Sequence, residues 1–227
     1  MNEQNKSEEL LINEIGGMQQ PHKEFLHALM IGKHALCSEL VHTYQAKQIS
    51  IKDLYETIFK KALYDVGELW EYNKISVATE HLASAIVESI LNQLYFEIIS
   101  KEKNNKVVIA ACVENEFHQI GIKMISDIFE MNGWNALFLG SNTPTSELIS
   151  FIKIKNPDLL ALSLSLYFNF TELEKMIQMV QREFPDLPIL VGGQAFQHGG
   201  EEIIAKYDNV VLKHDLYSTE LFIKNFK

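Results

Sequence analysis

The feature that most constrains this chain is a change of hydrophobic period near residue 104. Beyond the polar stretch KEKNNK, short apolar runs alternate with segments of helical periodicity. The apolar runs are KVVIAACV, NALFLG, DLLALSLSL, PILVGG and NVVLK, and the helical segments begin near His118, Thr145, Thr171, Gln194 and Tyr217. Unbroken apolar strands that alternate with helices indicate a parallel sheet covered on both faces.

Five such units predict a doubly wound, flavodoxin-like (Rossmann-like) five-stranded parallel sheet. Sheets of this kind bind ligands outside the carboxyl ends of their strands. The residues His118, Ser163, Ser165, Gly192 and Gly193 fall at that edge. We therefore expect a ligand site there.

Residues 20–102 show helical periodicity instead. One long helix is predicted over PHKEFLHALMIGKHALCSELVHTYQAKQ. A second helix follows Ser50 as its cap, with Asp53 at the third position, and a third opens at Ser76. Short loops between long amphipathic helices imply an antiparallel four-helix bundle.

The predicted organisation is therefore α followed by α/β. A polar N-terminal segment covers residues 1–19, and its run SEELLINEI adds a short helix. The helical-bundle cap covers 20–103 and the α/β domain 104–227.

Composition and charge exclude several classes of protein. The net charge of −10 argues against direct binding of nucleic acid, which needs a basic surface. Cys37 and Cys112 are too few for a disulfide framework, and the polar, acidic start carries no secretory signal. No apolar run reaches the ~18 residues of a membrane span. We expect a cytoplasmic protein.

His118 is the candidate with the most chemistry, because Glu116 stands two residues before it. A histidine beside a carboxylate can be a general base, a metal ligand or a polar structural residue at a helix start. A carboxylate often fixes the orientation of a metal-bound imidazole. No second histidine or cysteine lies nearby to complete a zinc site.

The spacing of the other candidates adds to this pattern. Glu116-Phe-His118-Gln-Ile-Gly121 is followed by 41 residues and then Ser163-Leu-Ser165, and 26 further residues lead to Gly192-Gly193. This resembles the fingerprint of base-off, histidine-on cobalamin-binding domains, D-x-H-x-x-G, S-x-L and GG at similar separations. The chain departs from it in having Glu116 for the aspartate and Ser165 for the leucine.

The resemblance implies a role for each residue. His118 would be the lower axial ligand of cobalt, displacing the dimethylbenzimidazole of the cofactor, and Glu116 would hold the imidazole. The small residues Gly121, Ser163, Gly192 and Gly193 would leave a groove for the displaced nucleotide tail. For the double glycine alone, a strand-to-helix turn is an equally good explanation.

The helical half carries a second pattern, in which Trp70 is separated by nine residues from Glu80-His81. Burial of Trp70 between helices, and a polar His81 near a helix start, remain alternatives. The pattern W-x9-EH is similar to that of CarH-type photoreceptors, whose helical bundle caps the upper face of adenosylcobalamin. The resemblance implies that Trp70, Glu80 and His81 line the pocket of the adenosyl group.

Two features depart from that family. CarH photoreceptors begin with a MerR-type DNA-binding domain, whereas about 20 polar residues stand in its place here. CarH-type proteins can also carry a histidine directly after the tryptophan, where this chain has Glu71.

The favoured function is thus a non-enzymatic, cobalamin-dependent light sensor whose output is self-association (a homo-oligomer) or binding to a separate signalling protein. The alternative is a corrinoid carrier of a methyltransferase system. A response-regulator-like domain, suggested by Lys213, lacks the phosphoacceptor aspartate. The resemblance to CarH-like domains also implies a linear tetrapyrrole as a further cofactor candidate. His27 and His34 lie seven residues apart in the predicted first helix and hence on one face, for which a solvated or polar stripe is the alternative explanation.

Overall fold

The structure, a computed structural model, describes residues 3–17 and 20–226. The chain divides between Tyr95 and Phe96 into two compact units, one helical and one α/β. The division falls inside the helix Val77–Ile98, a few residues before the polar stretch where the sequence predicted it.

The helical unit confirms the helical first half. Its helices are α1 (Glu3–Gly16), α2 (Pro21–Met30), α3 (His34–Ala46), α4 (Ile51–Asp53), α5 (Lys60–Glu71) and α6 (Val77–Ile98), and a π-helical segment, Leu54–Phe59, joins α4 to α5. Helix α1 occupies most of the predicted polar segment 1–19. Residues 1, 2, 18 and 19 of that segment lie outside the described residues, and so does residue 227 of the predicted α/β domain.

The first long helix of the prediction is wrong, because it is broken between α2 and α3. Gly32 has a φ of +67°, and the backbone N–H of Lys33 turns back to the carbonyl of Ala28 at 3.1 Å. A left-handed residue ends an α-helix, and glycine adopts that conformation without steric cost. His27 and His34 therefore lie on different helices and form no stripe on one helix face.

The cap predicted at Ser50 and the helix start predicted at Ser76 are both confirmed. The Ser50 Oγ accepts the N–H of Asp53 at 3.1 Å, and the Ser76 Oγ accepts that of Thr79 at 3.1 Å. The π-helical segment after Ser50 was not predicted. It has a wider turn than an α-helix and places both Tyr55 and Phe59 in the core, where Phe59 stacks on Phe25 at a centroid distance of 4.9 Å.

The α/β unit confirms the predicted sheet. Within the described residues, the strands β1 (Val107–Cys112), β2 (Asn135–Gly140), β3 (Leu159–Ser163), β4 (Ile189–Gly192) and β5 (Val210–Leu212) form one parallel sheet in the order β2-β1-β3-β4-β5. The order reverses between β1 and β3, so the carboxyl ends of these two strands form the topological switch point.

The helices that cover the sheet are α7 (Ile120–Met131), α8 (Thr145–Lys155), α9 (Phe170–Glu183), α10 (Glu201–Ile204) and α11 (Leu216–Asn225). The helix expected near Gln194 is a 3₁₀ turn, Gln194–His198, separated from α10 by Gly199 and Gly200, which both have positive φ. Cys37 and Cys112 are buried and free.

Candidate functional site

The Glu116–His118 pair lies in the loop between β1 and α7. The Glu116 Oε1 is 2.5 Å from the His118 Nδ1 and also accepts the backbone N–H of His118 at 3.0 Å. The carboxylate is fully buried, whereas 53% of the imidazole is exposed. One carboxylate oxygen thus fixes both the backbone and the ring of the histidine.

The second carboxylate oxygen of Glu116 forms hydrogen bonds across the switch point. Its Oε2 accepts the backbone N–H groups of Ser165 and Leu166, at 2.9 and 3.0 Å, from the loop that follows β3. Burial alone would raise the pKa of Glu116, but the hydrogen bonds from His118, Leu166 and Ser165 outweigh it and lower the pKa to about 2. The group is therefore an ionised carboxylate that joins two loops.

Three of the predicted small residues meet at the same edge. Ser163 ends β3 and is buried, and in the sheet register it faces Cys112 on one side and Gly192 on the other. A Cβ added to Gly121 would have the Ser163 Oγ as its nearest neighbour, at 3.8 Å. The space above Gly121 is thus open, as a groove at this edge requires.

The double glycine has a backbone explanation of its own. A Cβ on Gly192 would approach the carbonyl oxygen of Lys213 to 2.8 Å. Gly193 has a φ of +120°, and its Cβ would lie 2.1 Å from the carbonyl oxygen of Leu164. The turn after β4 therefore requires glycine at Gly193 whether or not a ligand binds.

Ser165 takes part through its backbone. Its N–H binds Glu116, and any residue except proline supplies that donor. The departure from leucine at this position therefore leaves the hydrogen bond intact. The extra methylene of Glu116 over aspartate lengthens the reach of the carboxylate that contacts both loops.

Several residues of this edge were missed by the sequence analysis. Phe117, Tyr167 and Phe168 are large exposed aromatic side chains in the two loops that Glu116 joins. Phe117 directly precedes His118, and the two other rings follow Ser165 by two and three residues, so their position in the sequence was an available signal. Asn142 was also missed: its backbone N–H donates to the carbonyl of Glu116 at 2.7 Å, and it comes from the loop after β2.

The candidates of the helical unit lie on either side of one connection. Trp70 is in the last turn of α5 and is 47% exposed, Glu80 is in the first turn of α6, and His81 follows it. The His81 Nδ1 lies 2.5 Å from the Glu80 Oε2, and the hydroxyl of Ser84 donates to the Glu80 Oε1 at 3.0 Å. The imidazole is 75% exposed. Trp70 is thus only partly packed, and the histidine is again held by a carboxylate.

In residues 3–17 and 20–226, no group of three or more His, Cys, Asp or Glu side chains could hold a metal ion. Over the same ranges, no helix has the length and apolar character that crossing a membrane demands.

Two protein-family models, each described as a B12 binding domain, match the chain. One covers residues 106–215, the region of the sheet and of the Glu116–His118 pair. The other covers residues 22–95, in the helical unit.

Among curated proteins, the chain is similar to two HTH-type transcriptional repressors of Myxococcus xanthus. It is 28% identical to CarA over 120 residues, which are 53% of this chain and 41% of CarA. It is 26% identical to CarH over 143 residues, which are 62% of this chain and 47% of CarH. The matched part is thus less than half the length of either relative.

Among solved structures, the chain is similar to the monomethylamine corrinoid protein of Methanosarcina barkeri. The TM-score is 0.76 at 15% identity, with 89% of this chain and 96% of the other covered. At this identity the likeness shows a common fold. The two B12 binding domain matches together take up most of residues 22–215, and they identify the chain as a cobalamin-binding module.

Proposed function

We propose that His118 is the lower axial ligand of the cobalt in cobalamin, and that the chain uses adenosylcobalamin to sense light. The observation that carries the first part is the Glu116–His118 pair. With Nδ1 held by a buried carboxylate, the imidazole presents Nε2 as the coordinating nitrogen, which is the arrangement that outer carboxylates give to metal-bound histidines.

The residues at the switch point fit this group. The corrin ring supplies the equatorial nitrogens of cobalt, so a single protein imidazole suffices and a cluster of protein ligands is not needed. The open space above Gly121, beside Ser163 and Gly192, suits the displaced nucleotide tail. The exposed rings of Phe117, Tyr167 and Phe168 offer apolar surface beside the histidine.

The light-sensing part rests on the helical unit. When bound, adenosylcobalamin supplies a cobalt–carbon bond that visible light breaks. Trp70, Glu80 and His81 would contact the upper axial ligand, and Trp70 would repack when that ligand is lost. The part-exposed Trp70 and the carboxylate-held His81 support this assignment, as does the resemblance to CarH-type photoreceptors.

The output of such a sensor would be a change in self-association or in binding to a separate protein. The histidine stripe that suggested a linear tetrapyrrole is split between α2 and α3, so the proposal is limited to cobalamin.

A corrinoid carrier of a methyltransferase system is the second candidate. It is favoured by the fold shared with the monomethylamine corrinoid protein. The exposure of Trp70 and His81 also suits a face that a partner enzyme must reach. In that case methylcobalamin is the working form and light has no regulatory role.

Two measurements test the proposal. First, His118→Ala should weaken hydroxocobalamin binding at least tenfold and abolish the spectral change caused by imidazole coordination. His42→Ala, which alters an exposed histidine of α3, should change neither. A His118→Ala protein with unaltered affinity and spectrum would exclude the coordination.

Second, the protein is loaded with adenosylcobalamin in the dark and illuminated, and its absorption spectrum and its mass by light scattering are recorded. Binding of candidate partner proteins in the dark and in the light, and methyl transfer from a methyl donor, are measured on the same preparation. Free adenosylcobalamin under the same lamp gives the photolysis of the unbound cofactor. A protein-bound photoproduct together with a change of mass or partner binding supports the sensor. A constant mass and constant partner binding, with methyl transfer from a methyl donor to the bound corrinoid, would replace the sensor by the carrier.

A further inference from the structure

An asparagine from another loop forms hydrogen bonds to the loop that carries His118. Asn142 follows β2, and its side-chain Oδ1 accepts the backbone N–H of Asn115 at 3.0 Å. Its own backbone N–H donates to the carbonyl of Glu116 at 2.7 Å. One residue thus binds two successive residues of the loop, Asn115 and Glu116, the second of which stands two positions before the histidine.

A second asparagine also forms a hydrogen bond to this loop. The side-chain Nδ2 of the buried Asn169, which precedes α9, donates to the carbonyl of Asn115 at 3.3 Å. The N–H and C=O of Asn115 and the C=O of Glu116 are therefore all bound by residues from other loops. A loop with its backbone groups satisfied in this way has little freedom to change conformation.

Asn115 and Asn142 both have a left-handed backbone conformation. Asn115 and Asn142 have φ values of +66° and +47°, in the left-handed region that asparagine tolerates better than most residues. Asn142 thus combines a conformation that aims its N–H at Glu116 with a side chain that accepts from Asn115.

From these contacts we infer that Asn142 is a positioning residue for the cobalt ligand. Glu116 orients the ring of His118, and Asn142 fixes the backbone from which Glu116 and His118 project. This role rests on the proposed function. It assigns to the loop after β2 a part in cobalamin affinity that needs no contact with the cofactor.

The test uses Asn142→Gly, which permits the left-handed conformation and the backbone N–H but removes the side-chain acceptor. Asn142→Asp retains an acceptor oxygen. The matched control is Asn156→Gly, since Asn156 ends α8 with a φ of +46° and lies away from the carboxyl edge of the sheet.

The first readout needs no cofactor. In the apoprotein, hydrogen exchange of the amides of residues 115–118 should speed up about tenfold or more in Asn142→Gly and stay unchanged in Asn156→Gly. The second readout is the Kd for hydroxocobalamin, which should rise about 10- to 100-fold, as is typical when a partner of a metal ligand is removed. Asn142→Asp should restore most of the affinity.

The double variant Asn142→Gly/His118→Ala shows whether Asn142 affects affinity by positioning the histidine or by stabilising the protein in general. If Asn142 acts through the histidine, Asn142→Gly should add nothing to the affinity loss of His118→Ala. An equal further loss in that background, or normal exchange and affinity in Asn142→Gly alone, would overturn the inference. A His118→Ala protein with unaltered affinity would instead overturn the proposed function, and this role with it.

Discussion

The buried carboxylate of Glu116 accepts the backbone N–H of Ser165 at 2.9 Å, and this bond ties the loop after the first strand to the loop after the third. The two strands flank the topological switch point of the sheet. The residue that orients the candidate cobalt ligand therefore also holds together the two loops between which a ligand would enter.

Replacement of Glu116 by glutamine should destabilise the apoprotein by about 2–4 kcal/mol. Glutamine removes the charge and turns an amide NH2 toward groups that are themselves donors, so buried N–H groups lose their acceptor. The measurement is the free energy of unfolding in urea.

Glu114→Gln is the matched control. Glu114 is only half-buried, and its Oε2 accepts from the N–H and the hydroxyl of Thr145, which the amide oxygen of glutamine can replace. It should cost less than ~1 kcal/mol. If the two variants lowered the free energy of unfolding equally, the buried carboxylate of Glu116 would not have the stabilising role assigned to it.

The Glu114–Thr145 contact should make stability depend on pH. The hydroxyl of Thr145, and then its N–H, lower the pKa of Glu114 below 4.5. The contribution is fully present above pH 4.5 and is lost as the pH falls through the depressed pKa. Thr145→Val should therefore cost about 0.5–1 kcal/mol at pH 7 and less at pH 3.

Thr143→Val provides the comparison for that measurement. The Thr143 hydroxyl donates to the carbonyl of Gly140, which does not titrate. Its cost should be the same at both pH values, and a pH-independent cost of Thr145→Val would contradict the assignment.

The sheet could be predicted from the sequence because strands buried on both faces must be continuously apolar. The assignment of a ligand to the carboxyl edge of that sheet stays a prediction. The break at Gly32 was missed because one glycine inside a periodic segment is compatible with a continuous helix. The part played by Ser165 could not be predicted, since its N–H is common to nearly all residues. Asn142 lies more than twenty residues from His118, and only the pairing of β1 with β2 places it beside the loop.

A comparison of Gly193 with Gly199 separates the backbone strain caused by an added Cβ from its steric overlap with neighbouring atoms. Both have φ near +120°, but an added Cβ meets the Leu164 carbonyl at 2.1 Å at Gly193 and no atom within 4 Å at Gly199. Gly199→Ala should cost about 1–2 kcal/mol, from backbone strain alone. Gly193→Ala should cost about 3 kcal/mol or more.

Thermal and urea unfolding of the two alanine variants measure this difference. A Gly193→Ala protein as stable as Gly199→Ala would mean that the turn after β4 relaxes freely. The glycine would then have to be explained by a ligand.

Substitution of Gly121 should separate folding from binding. Gly121 lies in the first turn of α7, and a Cβ there makes only an ordinary contact, at 3.8 Å to the Ser163 Oγ. Gly121→Ala should keep or raise stability, by up to ~0.5–1 kcal/mol, because alanine favours a helix. Gly121→Leu should fill the groove and weaken hydroxocobalamin binding more than tenfold while the apoprotein stays folded.

The comparison of alanine with leucine at Gly121 decides the outcome. Affinity that falls with side-chain size, at constant apoprotein stability, supports a groove at this edge. Full affinity in Gly121→Leu would remove Gly121 from the cofactor site.

Trp70→Ala should distinguish a sensor pocket from a structural tryptophan. Trp70 is 47% exposed, so its loss should destabilise the apoprotein by only about 1–2 kcal/mol, less than the ~3–5 kcal/mol of a fully buried tryptophan. Hydroxocobalamin carries no adenosyl group, and its affinity should persist, because the proposed cobalt ligand lies in the other unit. The affinity for adenosylcobalamin should fall about fivefold or more, since the adenosyl group would lose its aromatic contact. Tyr72→Ala, which removes a more exposed ring two residues on, should leave both affinities unchanged. An equal loss for both cobalamins in Trp70→Ala would place the tryptophan outside the upper pocket and favour the carrier.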